Sequence, residues 1–443
     1  MKKTVLLITI SLIIFVFEVK AQTEETKTET SEFTLSGEIR PRTEIDHGLK
    51  LPFLDGQEAK TYTSQRSRLN FDYKTDKIKM GVSLQDVRTW GEQAQLVANE
   101  ANAASIHEAW GEFLFTSQLS LKVGRMEVGY DDQRILSNVV WAQQGRSHDL
   151  ALLKYEGKVK AHLGLTYYGK NYTGANAYKA MQFLWLNGGN PQNFSWSVLA
   201  LNNGVEEKRI DNNAVTTSHT VYKTTIGARP VFKTGALLVA ANIYYQMGKE
   251  TDGTWTEGDA DNKEIAAYNL ALDVSYKVSE NLQLAAGYEM LSGNDFTDAN
   301  ADKQNAFTPF FGTAHKFNGH MDYFYSNNHF NNIGLNDIYL TLAYTKNKFV
   351  CRLMPHFFSA AGNAEYLDTE GATQEIGTLG TEIDVWATYN FAKNASIDFG
   401  YSQMFATDAM YALKGLNLSA ERVTNNWAWI MFTFKPKFLT VKN

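Results

Sequence analysis

The sequence predicts an all-β fold, a transmembrane antiparallel up-and-down β-barrel of about 18 strands. Three observations carry that expectation. Apolar residues recur with period two from Phe33 to near the C terminus, the connections between these segments alternate short and long, and aromatic residues gather near segment ends. Each is a signature of strands that cross a bilayer with one face to lipid and one to a polar lumen.

Composition narrows the class first. The 443 residues are 44% hydrophobic and 20% charged, with 7 Pro and 1 Cys, and the mean hydropathy of −0.32 is too polar for a bundle of membrane helices. The one long apolar run, Thr4 to Phe17, is preceded by Lys2 and Lys3 and followed by Val19-Lys20-Ala21. At about 14 residues it is shorter than a membrane-crossing helix and has the charged start, apolar middle and small-residue exit of a secretory signal. Residues 1–21 are therefore expected to be a signal peptide, 22–32 (QTEETKTETSE) a disordered periplasmic tether, and 33–443 the barrel. Cleavage after Ala21 moves the net charge from −6 to about −8, the wrong sign for a nucleic-acid binder. Cys351 stands alone, so no internal disulfide staples the fold.

The strands follow in order. Val159, Leu163, Leu165 and Tyr167 alternate with Lys160, His162, Gly164 and Thr166; Leu270, Leu272 and Val274 alternate with Asn269, Ala271 and Asp273; Ile338, Leu340 and Leu342 alternate with Asp337, Tyr339 and Thr341. Extending this pattern places strands at 33–45, 64–74, 77–89, 105–116, 119–129, 147–156, 158–169, 178–187 and 193–203. The second half gives 218–229, 235–247, 264–277, 281–291, 335–345, 347–358, 378–391, 394–407 and 424–436. Short joins such as Thr75-Asp76 and Ser279-Glu280 then alternate with long ones at 46–63, 90–104, 130–146, 170–177, 204–217, 248–263, 292–334, 359–377 and 408–423. An even strand number with both ends on the periplasmic side fits single-chain bacterial outer-membrane barrels. Tyr73, Trp90, Trp110, Tyr155, Tyr167, Trp427 and Trp429 are expected to form the interfacial belts. Lys435 to Asn443 extend the chain past the aromatic-rich last strand.

Parity also sorts the charges. Arg40 and Arg42 share the polar face of the first strand, and Arg66 and Arg68 that of the second, with Glu38, Glu44 and Asp72 among them. Such a column can hold carboxylate or phosphate groups bidentately, or it can be a neutralised network that stiffens the wall. Arg88 and Arg125 fall in phase with outward residues Leu84 and Val123; a bulge at Gly124, the favoured reading, would return them to the lumen, and a strand position above the apolar band would put them at headgroup level. Arg at the lipid-facing Leu163, Leu272 or Leu340 is expected to be costly, and at Gly164, Asp273 or Thr341 tolerated.

At this point the residues resemble a family. Ser105-Ile106-His107-Glu108-Ala109-Trp110, Leu121 to Arg125, Arg134-Ile135-Leu136, Trp141 to Arg146 and His148-Asp149 look like the alginate-export family of outer-membrane barrels. The block Thr308 to Phe324, with His315, Lys316, Gly319 and Asp322, is similar to that family's late-loop motif. The resemblance implies a passive channel for anionic polysaccharides, oligosaccharides or related acids through an Arg-rich lumen, with inward-folding loops as gates. It makes Arg40, Arg66, Arg68, Arg88, Arg125, Arg134 and Arg146, alongside Arg42 from parity, the channel-lining, anion-contacting candidates. Expected partners are an anionic saccharide or small-acid solute, outer-membrane lipid, the barrel-insertion machinery and periplasmic export partners.

No cofactor or metal is expected. Asp298, Asn300 and Asp302 mimic a calcium loop, but Lys303 takes its glycine position, and Gly111 stands where the second His of a zinc motif beginning at His107-Glu108 would be. No nucleophile elbow or phosphate loop points to an enzyme. A general or substrate-specific uptake porin is the alternative reading, with a barrel lipid hydrolase or a structural surface protein behind it.

Overall fold

Backbone N–H and C=O groups have no water to bond inside hydrocarbon, so strands can cross a membrane only when every edge is paired. The computed structural model achieves this by closing the sheet on itself. It describes residues 30–96, 104–169, 177–211, 214–251, 253–256, 262–297, 303–313, 315–324 and 333–443. The expected signal peptide, residues 22–29 of the tether, and Asp298 to Asp302 lie outside the described residues, while the tether's last two residues, Ser31 and Glu32, are already bonded into the sheet.

The strands in chain order are β1 (Glu32–His47), β2 (Lys60–Lys74), β3 (Ile78–Thr89), β4 (Ser105–Leu114), β5 (Leu119–Met126), β6 (His148–Glu156), β7 (Lys160–Tyr167), β8 (Ala180–Asn190), β9 (Phe194–Asp211), β10 (Ala214–Thr234) and β11 (Leu237–Lys249). They continue as β12 (Thr254–Thr256), β13 (Glu264–Lys277), β14 (Leu282–Leu291), β15 (Lys303–Gln304), β16 (Leu335–Lys346), β17 (Phe349–Ser359), β18 (Glu365–Leu367), β19 (Thr373–Glu375), β20 (Thr378–Ala392), β21 (Ala395–Ala406), β22 (Asn425–Phe434) and β23 (Lys437–Lys442), with one short helix, α1 (Asp408–Leu413), before β22. Eighteen of them form the antiparallel wall, each bonded to its neighbours in turn, and β1 closes on β22. The strands β12 and β15 add short parallel pairings at the long-loop end, and β18 and β19 form a separate ribbon.

Each of the eighteen segments read from periodicity is present, and the differences have physical causes. The expected loop 204–217 is largely strand, because β9 and β10 run on as a hairpin of 18 and 21 residues. Its outer part, with Glu206 to Arg209 facing Thr217 to Thr220, is polar on both faces and carries no period-two signal. The tail beyond the last predicted strand is β23, which follows a two-residue break at Lys435-Pro436 and pairs with Glu32 to Ser36, with a register shift between Leu35 and Ser36. Ser31 and Asn443 exchange two further backbone hydrogen bonds there. The fifth strand stops at Met126 rather than 129, because the chain turns into the lumen.

Leu163 (37% exposed), Leu272 (48%) and Leu340 (48%) face outward, while Glu44, Arg66 and Asp337 on the other face are buried. Trp90, Tyr155 and Tyr167 are exposed as belts require, but Trp427 (1%) and Trp429 (3%) are inside. Both faces of β22 are apolar, so parity alone could not orient it. Trp110 likewise lies under Lys122 Nζ, 3.6 Å from the ring centroid. Arg at Leu163, Leu272 or Leu340 is expected to cost about 2–4 kcal/mol near the midplane, measurable as a lower denaturant midpoint in lipid vesicles. Thr341, at the cavity wall, should accept it. Gly164 should not, since a Cβ there would lie 2.1 Å from the Phe183 ring. Asp273 is also unsuited, because it accepts the Tyr339 hydroxyl.

Candidate functional site

Two long connections fold into the barrel and meet. The chain between β5 and β6 buries Val128, Arg134, Ile135, Leu136 and Ser137, and that between β14 and β16 buries Phe307, Phe310, Phe311, Met321 and Tyr323. Apolar groups on a loop are stable in a lumen only against other apolar groups, and these form one core cluster. The contact is also backbone-made: Ser137 N–H donates to the Phe311 carbonyl (2.9 Å) and Thr313 N–H to that of Gln133 (3.0 Å). Gly312 permits this approach, since a Cβ there would stand 2.0 Å from the Arg134 carbonyl oxygen.

The arginines of β1 and β2 hold the first of these loops. Arg40 donates to the carbonyls of Val140 (2.8 Å), Trp141 (3.2 Å) and Ala142 (3.2 Å) and to Gln143 Oε1 (2.9 Å). Arg42 donates to Trp141 O (2.9 Å), pairs with Glu44 (2.8 Å) and lies 4.0 Å over the Trp141 ring. Arg66 pairs with Glu38 at 2.6 Å. Arg68 reaches Gln85 (2.6 Å), Glu127 (3.2 Å) and the Gln144 carbonyl (3.3 Å). Burial pushes the Glu127 carboxyl up, but His107, Asn138 and Arg68 outweigh it and bring it down to about 2. The loop's own arginines face the second loop. Arg134 pairs with Glu289 (2.5 Å) and donates to Asn318 (3.0 Å), and Arg146 donates to Gly312 O (3.4 Å).

Arg88 and Arg125 lie apart from this cluster. Arg88 pairs with Asp86 on its own strand (2.7 Å), and Arg125 with Asp149 directly opposite (3.3 Å). The register of β4 with β5 is regular at Gly124, so the expected bulge is not there. The register shift lies between β3 and β4, where Ser83 faces Glu108 and Leu84 faces Ile106, leaving His107 as the extra residue.

The second loop is held by carboxylates that arginine-centred reading missed. Asn318 donates to Glu289 (2.9 Å) and Asp337 (3.3 Å), His320 N–H to Asp384 (3.2 Å), and Met321 N–H to Glu382 (2.7 Å). Asp337 and Glu289 stood at lumen parity in the sequence, which was the available signal. Of the late-loop motif, His315 stacks on Trp141 (4.2 Å, 12°) and bonds Asp322 (3.1 Å), while Lys316 Nζ donates to Asp132 O (2.8 Å). Gly319, at φ +83°, leaves room for Glu382, which a Cβ would meet at 2.6 Å.

Around the joined loops remain three cavities. One of about 520 Å³ is lined by Trp141, Asp273, His315, Lys316, Arg352 and Trp386. Another of about 400 Å³ has Arg42, Glu44, Lys50, Tyr62 and Asp322, and a third of about 360 Å³ has His107, Gln144, Arg146 and Tyr178. Among the described residues no group of three His, Cys, Asp or Glu could hold a metal ion.

Two expectations follow from these anchors. Arg40→Gln removes charged donors worth about 1.5–3 kcal/mol each and should make the loop at 127–147 more accessible to protease and the conductance noisier; a loop equally resistant to cleavage would show that Arg40 does not hold it. Burial, with His315 and His356 adding to it against Asp384, lowers His320 to about 4. Its imidazole then binds fewer protons folded than unfolded between about pH 4 and 6.5, so the hold on the second loop should weaken as pH falls through that window, read as rising hydrogen exchange at Met321.

Residues 32–184, β1 through the first half of β8, match the family model described as alginate export. They contain the Ser105 to Asp149 blocks, and the Thr308 to Phe324 block lies beyond them. No curated protein matches the chain in sequence. In structure it is similar to OccAB4 of Acinetobacter baumannii (TM-score 0.56, 12% identity, 93% of this chain and 99% of that one). It is similar also to OccK8 of Pseudomonas aeruginosa (0.57, 10%, 92% and 98%) and to OpdK of the same organism, solved with vanillate (0.55, 9%, 94% and 99%). The chain is an outer-membrane β-barrel of the fold these proteins share.

Proposed function

We propose that this outer-membrane barrel is a passive channel for small anionic solutes, single saccharide acids or organic acids, which pass a constriction made by the two inward loops. The observation that carries the reading is the set of separate cavities of about 360–520 Å³ beside the joined loops, a size that suits one small molecule. Trp141 and Trp386 offer aromatic faces, and Arg352 and Lys316 offer cationic donors, to a ring bearing a carboxylate. The vanillate carried by OpdK, a barrel of the same fold, is an acid of that size. Passage of a whole polysaccharide, the larger solute that the alginate-export resemblance implies, would require the Leu136–Phe311 junction to part. The arginines of β1 and β2 act in this reading first as the clamp that sets the aperture.

The test is single-channel recording of the purified protein in planar bilayers. Trp141→Ala should raise the conductance and weaken block by glucuronate. A wild-type barrel that inserts fully and passes no current would overturn the channel reading.

A further inference from the structure

The arginines that sequence reading favoured are largely committed to loop carbonyls and carboxylates deep in the lumen, and an anion meets the charges at the mouth of the barrel before it reaches them. The short-turn end of the barrel, which in these proteins faces the periplasm, carries one. Lys79 sits between the exposed Ile78 and Met80, and Lys277 between the exposed Tyr276 and Val278. Period two therefore turns both lysines to the lumen side. Lys233 follows the outward Phe232 and Lys160 the outward Val159 in the same way. Lys74 faces Glu32 across the ladder, and Lys437 faces Ser36, whose parity is that of the buried Glu38 and Arg40.

These six lysines come from β2, β3, β7, β10, β13 and β23, and so stand around the rim rather than along one side. Carboxylates offset part of the charge: Glu32 lies 3.7 Å from Lys74, and Glu156 lies 3.3 Å from Lys160. At the long-loop end the exposed charges are of both signs, with Glu92, Glu365, Asp368, Glu370, Glu375 and Glu421 beside Lys60, Lys208, Arg209, Lys249 and Arg422. The whole chain is acidic at −6, yet one mouth is basic.

We propose that this lysine collar is an anion-recruiting site at the periplasmic mouth, taking multivalent phosphate- or carboxylate-bearing solutes, and that it, rather than the Arg40 to Arg68 group, sets the ion preference of the channel. The proposal rests on the channel reading above and adds where selection occurs and from which side. A ring of like charges in a low-dielectric wall raises the local concentration of counter-ions. Lysine suits the task because its ammonium is a flexible point charge that neutralises phosphate without demanding one geometry. With charges of mixed sign at the other mouth, the field is lopsided, and the effect on a polyanion depends on the side from which it arrives.

The experiment uses the whole barrel in planar bilayers with tripolyphosphate as the probe, at about 0.1 M salt where screening reaches only about 10 Å. Tripolyphosphate should block at lower concentration from the short-turn side than from the loop side. Replacing Lys74, Lys79, Lys160, Lys233, Lys277 and Lys437 with Gln should raise the half-blocking concentration about ten-fold and move the reversal potential toward cations, and the six Lys→Arg changes should restore both. If the six-Gln protein does not fold, Lys79→Gln with Lys277→Gln should give a smaller shift of the same sign. Equal block from the two sides, or an unchanged reversal potential in a folded Gln variant, would overturn the collar while leaving the channel standing; a wild-type barrel without current would sink the channel reading instead.

Discussion

Complete pairing of the backbone is the constraint on which everything else in this molecule depends. A sheet in hydrocarbon cannot leave an edge unbonded, so eighteen strands must close, and the closing pair joins the two ends of the sequence. Closure fixes a lumen wider than side chains alone can fill. The two inward loops follow from that geometry. They occupy the space with an apolar cluster of their own, and the wall supplies charged groups to satisfy the loop backbone that would otherwise be buried unbonded.

The division of charge then has a physical logic. Arginine, with five donors in a planar fork, serves the loop between β5 and β6, whose carbonyls point at the wall. Carboxylates, which only accept, serve the loop between β14 and β16, which presents N–H groups at His320 and Met321. A lumen reading based on charge alone would assign both sets to the solute. The hydrogen-bond partners assign them first to the protein.

What was legible in the sequence was the wall. Period two revealed each strand that faces lipid, because lipid imposes an apolar residue at every second position. It failed where no lipid does so, as in the polar outer hairpin of β9 and β10, and where both faces are apolar, as at Trp427 and Trp429. The resemblance implied loops that fold inward, but what clamps them could not be read. Arg40 and Val140 are 100 positions apart, and the loop between them and the wall has no periodicity to announce its burial. The arginines were visible as residues of lumen parity; their partners were a property of the closed barrel.

The seam has a consequence for assembly. Ser31 bonds Asn443, and β23 covers the first five residues of β1, so the closing contacts span nearly the whole chain. Contacts of such sequence separation are the slowest to be made, because the chain entropy lost in bringing the ends together is not recovered until they meet. Until then β1 presents an open ladder to any extended chain nearby. The break at Lys435-Pro436 divides that final ladder in two, so closure along β22 and zipping of β23 are separable steps. A nascent barrel closed along β22 alone would be shut within the membrane yet still open at its periplasmic lip.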